Sequence, residues 1–416
     1  MPLIVRLAWR NIGRNKRRTS LTVAAAVFAV VLVVHMIALT GGMHDRMIED
    51  NVRMHAGHLQ LTGAGYLEDR TLERFVRWTP ELAAAVDAEP GVAAAAPRLN
   101  GFALLSNGPA SQGVALLGVD PAREGSVSTW PEQVVRGDFL RRKRPRGEAP
   151  DILLGEQLAQ ALGAQLGGKV LVYTVAYTLE NSYDLFRVRG LIHAPDPRLE
   201  RSLALISLAD AQELFAYQGR VSEVAMLVRD LSQLAATRAA VAADVAAHSA
   251  DPLDVNPWQK VMPELAQLIR IDNVQNYSML AILVVVVAFG ILNTILMSVL
   301  ERQRELGVML ALGLAPRAIF RLVYVESLVL SGVGLALGLA IALPAAALME
   351  RHPIPLSGEI QKMSETFGVT PVITWELTAW NPLIATALMV AIALLAALYP
   401  AAKAASARPV DALRSL

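Results

Sequence analysis

The chain has 416 residues, of which 54% are apolar, with 38 basic against 37 acidic side chains and no cysteine. That balance says little about partners, because it averages over compartments, whereas the missing cysteines exclude a disulfide framework and a thiolate-ligated metal centre. It also fits a domain exported to an oxidising compartment without disulfides.

Residues 1–18 contain Arg6, Arg10, Arg14, Lys16, Arg17 and Arg18 and no acidic residue. An almost uninterrupted apolar run follows at 19–39, reaching the roughly 20 residues needed to span hydrocarbon as a helix. A basic start before an apolar centre also fits a signal peptide, but the run is long and no small-x-small cleavage site stands out after it. Comparable runs at 279–300, 322–349 and 383–399 give four spans. The spacing predicts a basic N-terminus at 1–18, spans at 19–42, 278–300, 321–349 and 383–402, a large domain at 43–277, a short connection at 301–317, a loop at 350–382 and a tail at 403–416. Basic residues precede the first span, lie at Arg302, Arg304, Arg317 and Arg321, and follow the fourth span at Lys403, Arg408 and Arg414. All fall on one side, so the positive-inside rule places both termini in the cytoplasm and the large domain outside. Anionic lipid headgroups account for these clusters without nucleic acid.

Met36, Met43, Met47 and Met54 lie along the first span and its continuation. At about 100° per residue all four fall within roughly 20° of one line. Such an adaptable stripe suits either packing against a returning stalk or a path for greasy cargo, for which Met36, Met43 and Met47 are the candidates. Within the large domain the pattern predicts a helix at 81–87, strands at 92–106 and 113–119, a helix at 152–162, and strands at 169–177 and 185–192. A strand at 203–207 leads into a helix, and 223–228 with 231–247 repeats that order. The fold class is therefore an α-helical membrane protein with a large α+β domain between its first two spans, and residues 40–54 and 263–277 are expected to form helical stalks.

Between the second and third spans, residues 301–313 read as one amphipathic helix at the membrane surface. Glu301 and Glu305 stand one turn apart, while Leu306, Met309, Leu310 and Gly313 recur at three- and four-residue spacing. In the third span Gly334 and Gly338 form a GxxxG pair that permits close helix approach, within the chain or across a dimer seam, and Glu326 needs a partner, a nearby arginine being the natural one. Other chemical signals fail. Gly163 to Lys169 starts like a phosphate-binding loop, but Val170 replaces the Mg²⁺-holding hydroxyl. His44, His55 and His58 lack a metal-site spacing, the Arg141–Arg146 run reads as a charged loop, and no nucleophile with its base stands out.

The segment Glu301-Arg-Gln-Arg-Glu-Leu-Gly307 with Leu310-Ala-Leu-Gly313, Pro316-Arg317 and Glu326 resembles the FtsX-like or MacB-like ABC transporter permeases. So does the ending Tyr399-Pro-Ala-Ala-Lys-Ala-Ala405 with Arg408-Pro-Val-Asp-Ala-Leu-Arg414. Ile152-Leu-Leu-Gly-Glu-Gln-Leu-Ala159 and Ala288-Phe-Gly-Ile-Leu-Asn-Thr294 are similar to the lipoprotein-releasing, Lol-type branch. The resemblance implies a bacterial inner-membrane permease whose cytoplasmic coupling helix docks on a separate ATPase carrying the ATP and Mg²⁺. Glu301, Arg302, Arg304, Glu305, Leu306, Gly307, Leu310, Gly313 and Arg317 match that helix and the start of the span after it. It further implies mechanotransmission of ATPase closure to the external domain, a second permease as partner, and lipoprotein or other hydrophobic cargo taken from the outer leaflet or periplasm. No catalysis is expected in this chain. The Lol-type permease that recruits a carrier uses a long projecting hairpin, whereas the 177–186 connection here is short, which favours a partner permease or another periplasmic acceptor for that step. The alternatives are a tripartite drug, peptide or siderophore exporter, and a non-transporting regulator of a cell-wall hydrolase.

Overall fold

In the computed structural model the first apolar run and its stalk form one unbroken helix, α1 (Lys16–Met54). The structure describes residues 16–54, 56–145, 147–194, 197–366 and 370–406; most of the basic N-terminus, His55, Arg146 and the tail from residue 407 lie outside them. The chain divides into two units, one comprising Met1–Asp45, Ile269–Pro355 and Val372–Leu416, the other Arg46–Leu268 and Leu356–Pro371.

The second unit begins with β1 (Leu59–Gly63), β2 (Val76–Arg77) and α2 (Pro80–Ala88). Thr79 caps α2 by accepting a hydrogen bond from the Leu82 amide at 3.2 Å, and Pro80 sits in the first turn, where its missing N–H costs nothing. β3 (Val92–Asn107) and β4 (Ala110–Val119) form the predicted hairpin, paired from Arg98↔Val119 to Asn107↔Ala110. Next come α3 (Glu124–Val127), β5 (Val134–Gly137), β6 (Asp151–Gly155) and α4 (Glu156–Leu162). The single helix expected at 152–162 is thus a strand followed by a helix. Ile152, Leu153 and Leu154 are all fully buried, the continuous apolar signature of a strand covered on both faces, and the helix begins only after Gly155.

β7 (Lys169–Val175), β8 (Asn181–Ile192), α5 (Pro197–Ser202), β9 (Leu203–Ser207), α6 (Leu208–Leu214), β10 (Arg220–Val221), β11 (Glu223–Val228), α7 (Leu234–His248), β12 (Leu253–Pro257) and α8 (Trp258–Val261) complete this unit. One large sheet runs β12-β1-β11-β3-β4-β9-β6-β8-β5, and β7 pairs with both β3 and β8. The pairings therefore close β3, β4, β9, β6, β8 and β7 into a circuit. Alternation along the strands sends Leu99, Leu105, Leu116, Ile152, Val172, Phe186 and Ile206 into one core with α4 and α6. Leu59, Leu61, Val224 and Met226 meet α2 and α7 in a second core. The intervening residues, among them Gln60, Arg98, Asn100, Leu117 and Glu223, belong to the opposite faces of those strands.

α9 (Pro263–Glu301) also runs unbroken, so both stalks are helical continuations of their spans. α10 (Gln303–Ala311), α11 (Pro316–Arg351), β13 (Ile354–Pro355), α12 (Glu359–Thr366), β14 (Val372–Ile373) and α13 (Trp380–Ala405) follow. Residues 350–382, expected as a plain loop, contain the paired strands β13 and β14 and a short helix. Among the described residues four helices, α1, α9, α11 and α13, are long and apolar enough to cross a membrane. Ala26, Val30 and Val33 of α1, Ile291 and Ile295 of α9, Ala342 of α11, and Ala385, Met389 and Ala396 of α13 share one core. A methyl group at Gly334 would come within 2.4 Å of the Ala26 Cβ, and one at Gly338 within 2.6 Å of the Val30 Cβ. The GxxxG pair therefore seats α11 against α1 of the same chain.

Candidate coupling elbow

The segment between α9 and α11 was expected as one helix from Glu301. It is instead a broken corner: Glu301 ends α9, the backbone turns at Arg302 (φ −104°, ψ 11°), and α10 starts at Gln303. Glu301 and Glu305 accordingly do not share a continuous helical face. The physical reason is the Arg302 side chain, which turns inward. Its Nη1 donates to both carboxylate oxygens of Glu326 on α11, at 3.0 and 2.9 Å, while its Nε donates to Glu305 Oε2 at 3.2 Å. Glu326 is buried, so the ion pair satisfies a carboxylate that would be costly alone.

The far end of α10 is set by backbone chemistry. The Gly313 amide bonds the Leu310 carbonyl and the Leu314 amide bonds the Met309 carbonyl, both at 3.0 Å, with Gly313 at φ +91°. This is a Schellman stop, which needs a residue free to adopt the left-handed region. Pro316 then opens α11 in its first turn. The Leu312-Gly-Leu-Ala-Pro316 stretch is thus a helix stop followed by a helix start.

The corner has two sides. Leu306 and Gly307 are buried, and Leu306 packs with Val299, Ile319, Val323, Ala401 and Ala404, with Met309 and Leu310 partly covered at the edge. Glu301, Arg304, Val308, Gly313 and Arg317 are exposed, as are Leu312 (83% accessible) and Leu314. Of the residues singled out from sequence, the structure gathers Arg302, Glu305, Leu306, Gly307 and Leu310 on the anchoring side and Glu301, Arg304, Gly313 and Arg317 on the open side. Sequence reasoning missed Val308, Leu312 and Leu314 as open apolar positions. The signal was present, because a stop glycine between two leucines leaves the terminal leucine outside the helix's packed stripe.

Residues 277–409 match the FtsX-like permease C-terminal family, and residues 19–244, more than half of the chain, match the MacB-like periplasmic core domain. The chain belongs to the FtsX-like and MacB-like permeases. Among its relatives are the lipoprotein-releasing system transmembrane protein LolC of Xylella fastidiosa strain Temecula1, 25% identical over 99% of each chain, and LolC of Neisseria meningitidis serogroup B, 24% identical over 74% of this chain and 72% of that one. The macrolide export ATP-binding/permease protein MacB of Wolinella succinogenes is 23% identical over 88% of this chain and 56% of its own length. The chain is an ABC transporter permease of the LolC and MacB type, with four membrane-crossing helices and a large α/β domain after the first.

Elsewhere the permease resolves the remaining sequence signals. Met36, Met43, Met47 and Met54 all lie on α1, with Met43 exposed and Met54 buried against Trp130 and Leu153. His58 Nδ1 accepts the Val228 amide at 3.0 Å and its Nε2 lies 3.4 Å from Glu49, while His44 pairs with Asp272. Arg141 bridges Asp151 and Glu148, and Arg144 pairs with Asp210, so the basic run is tied into its own domain. Gly163 is a helix stop at φ +62° rather than a phosphate loop. Between β7 and β8 the chain crosses in residues 176–180 alone, with β8 starting at Asn181.

Proposed function

We propose that this permease transmits the closure of a separate cytoplasmic ATPase, which holds the ATP and Mg²⁺, through the α9–α10–α11 corner to the stalks and the external domain. The observation that carries the reading is the two-sided corner: one side pinned by Arg302–Glu326 and Leu306, the other offering Arg304, Val308, Leu312 and Leu314. A pinned corner moves its helices when pushed, whereas a loose loop would absorb the displacement. The protein resides in the bacterial inner membrane with both termini in the cytoplasm. Its working unit contains two permeases, identical or paralogous. In support, α9 leaves Ile282, Val285, Val286, Phe289 and Met297 exposed in the single chain, an apolar surface for lipid and a second permease to cover.

The cargo we infer is lipoprotein or another hydrophobic molecule drawn from the outer leaflet or periplasm and passed to an external acceptor. End-to-end similarity to proteins named for lipoprotein release supports this choice over macrolide export. The short β7–β8 connection favours a partner permease or a different acceptor for carrier recruitment. Affinity purification from native membranes tests the assembly: recovery of an ATPase and a second permease is expected, and recovery of no ATPase refutes it. ATPase turnover of that complex tests the cargo. Stimulation by a triacylated peptide and not by its unacylated form is expected; equal response to both rules lipoprotein out.

A further inference from the structure

The external domain contains a cavity of about 690 Å³, within the range of roughly 300–1,000 Å³ typical of small-molecule sites. It lies along the strand faces opposite the two helix-covered cores. Its walls combine apolar groups such as Leu117, Leu203 and Phe102 with the polar side chains Gln60, Arg98 and Glu223. Phe102 is 80% accessible, so the cavity has an open apolar lip.

Two of the lining residues carry an unmet requirement. Gln60 is 3% accessible and Trp130 is 2% accessible, yet Gln60 Oε1 and Trp130 Nε1 have no hydrogen-bond partner among the described residues. A buried donor or acceptor left unmet costs about 1–3 kcal/mol, so such pairs are rare unless something completes them. The two buried charged groups of the lining, Arg98 and Glu223, are by contrast engaged, while the third charged residue there, Arg70, is exposed to water. Arg98 Nη2 and Nε donate to Glu124 at 2.5 and 3.3 Å, and Asn100 Nδ2 donates to Glu223 at 2.7 Å.

We propose that this cavity binds an uncharged amphiphile, an aliphatic chain ending in a head that both accepts and donates hydrogen bonds, as an acylglycerol does. A head-group oxygen accepts from Trp130 Nε1, a head-group hydroxyl donates to Gln60 Oε1, and the chain lies against Leu117 and Leu203 toward Phe102. An anionic head would meet buried Glu223 with Arg98 already engaged by Glu124, and the water-exposed Arg70 would offer it only a screened charge. A cationic head would have to displace the Asn100–Glu223 hydrogen bond. The site stands independently of the proposed ATPase coupling and cargo.

The test uses the full chain in lipid nanodiscs and a monoacylglycerol carrying a diazirine in its acyl chain. Photolabelling should mark peptides containing Phe102, Leu117 or Leu203, and unlabelled monolauroylglycerol should compete. Laurate and dodecyltrimethylammonium should compete at least about tenfold less well. Trp130→Phe and Gln60→Leu should each weaken labelling roughly five- to tenfold, the effect of losing one buried hydrogen bond. Ala115→Phe, which fills the cavity from its wall, should abolish labelling at an unchanged thermal transition, and serves if either polar variant misfolds. Label confined to the membrane helices, or undiminished in Ala115→Phe, would overturn the site; better competition by either charged amphiphile would overturn the head-group assignment.

Discussion

Arg98–Glu124 in the external domain and Arg302–Glu326 at the corner are both arginine–carboxylate pairs, and they differ in how they are closed. Arg98 and Glu124, in the external domain, are 1% and 0% accessible, and the guanidinium meets the carboxylate as a fork through Nε and Nη2. Arg302 and Glu326, at the corner, are 14% and 6% accessible, and one Nη1 serves both oxygens while Nε reaches sideways to Glu305. The sealed pair fixes a core. The half-open pair helps to fix a surface, because the exposed residues of the corner are held by Arg302 together with the packing of Leu306. Burial tells where an ion pair costs most to break; what hangs from it tells what breaking it does.

Removing a partner from the sealed pair should have the largest effect on stability. Arg98→Leu strands Glu124 and is expected to cost about 3–5 kcal/mol. Hydrogen exchange should show it confined to the external domain, with ATPase association retained. Arg302→Ala should cost less, about 2–3 kcal/mol, because water reaches that pair. It should nonetheless abolish cargo-stimulated ATP hydrolysis, which Arg98→Leu protein that remains folded should keep. If both variants lose the same activity at the same residual stability, the contrast between the pairs fails.

Smaller effects sharpen it. Gly338→Leu drives a side chain into Val30 and should lower bundle stability by about 1–3 kcal/mol, measured by thermal unfolding in detergent. Arg304→Glu, on the open side of the corner, should leave unfolding unchanged and weaken ATPase binding about fivefold, a rim contact worth about 1 kcal/mol. A further effect is a pH dependence. A hydrogen bond with Asp45, together with burial, pushes the Glu376 carboxyl up to about 7 from its ordinary 4.5. The folded state therefore holds that proton more tightly, and its contribution to stability is complete below about pH 4.5 and lost as pH rises through 7. Glu376→Gln should flatten the unfolding temperature across that interval.

Much of the architecture was legible because membrane spans announce themselves by length and apolar strands by alternation. The hairpin of β3 and β4, the helical stalks and the glycine seam all follow from patterns a few residues long. What escaped were features set by partners distant in sequence. Ile152-Leu-Leu154 has the apolar density of either a helix or a doubly buried strand, and only the neighbouring β8 and β9 decide it. Arg302 reads as one more charge on an amphipathic helix until Glu326, 24 residues on, turns it inward and breaks that helix. Gln60 and Trp130 carry no local sign that they face a common cavity.

The central claim is that the open side of the corner, and not its anchored side, meets the ATPase. The chain has no cysteine, so single cysteines can be placed without background. With a short thiol-to-amine crosslinker in native membranes, Leu312→Cys should give a crosslink to an ATP-hydrolysing partner while Leu306→Cys should give none. A crosslink from Leu306→Cys, or none from Leu312→Cys in a variant that still inserts and folds, would contradict the account.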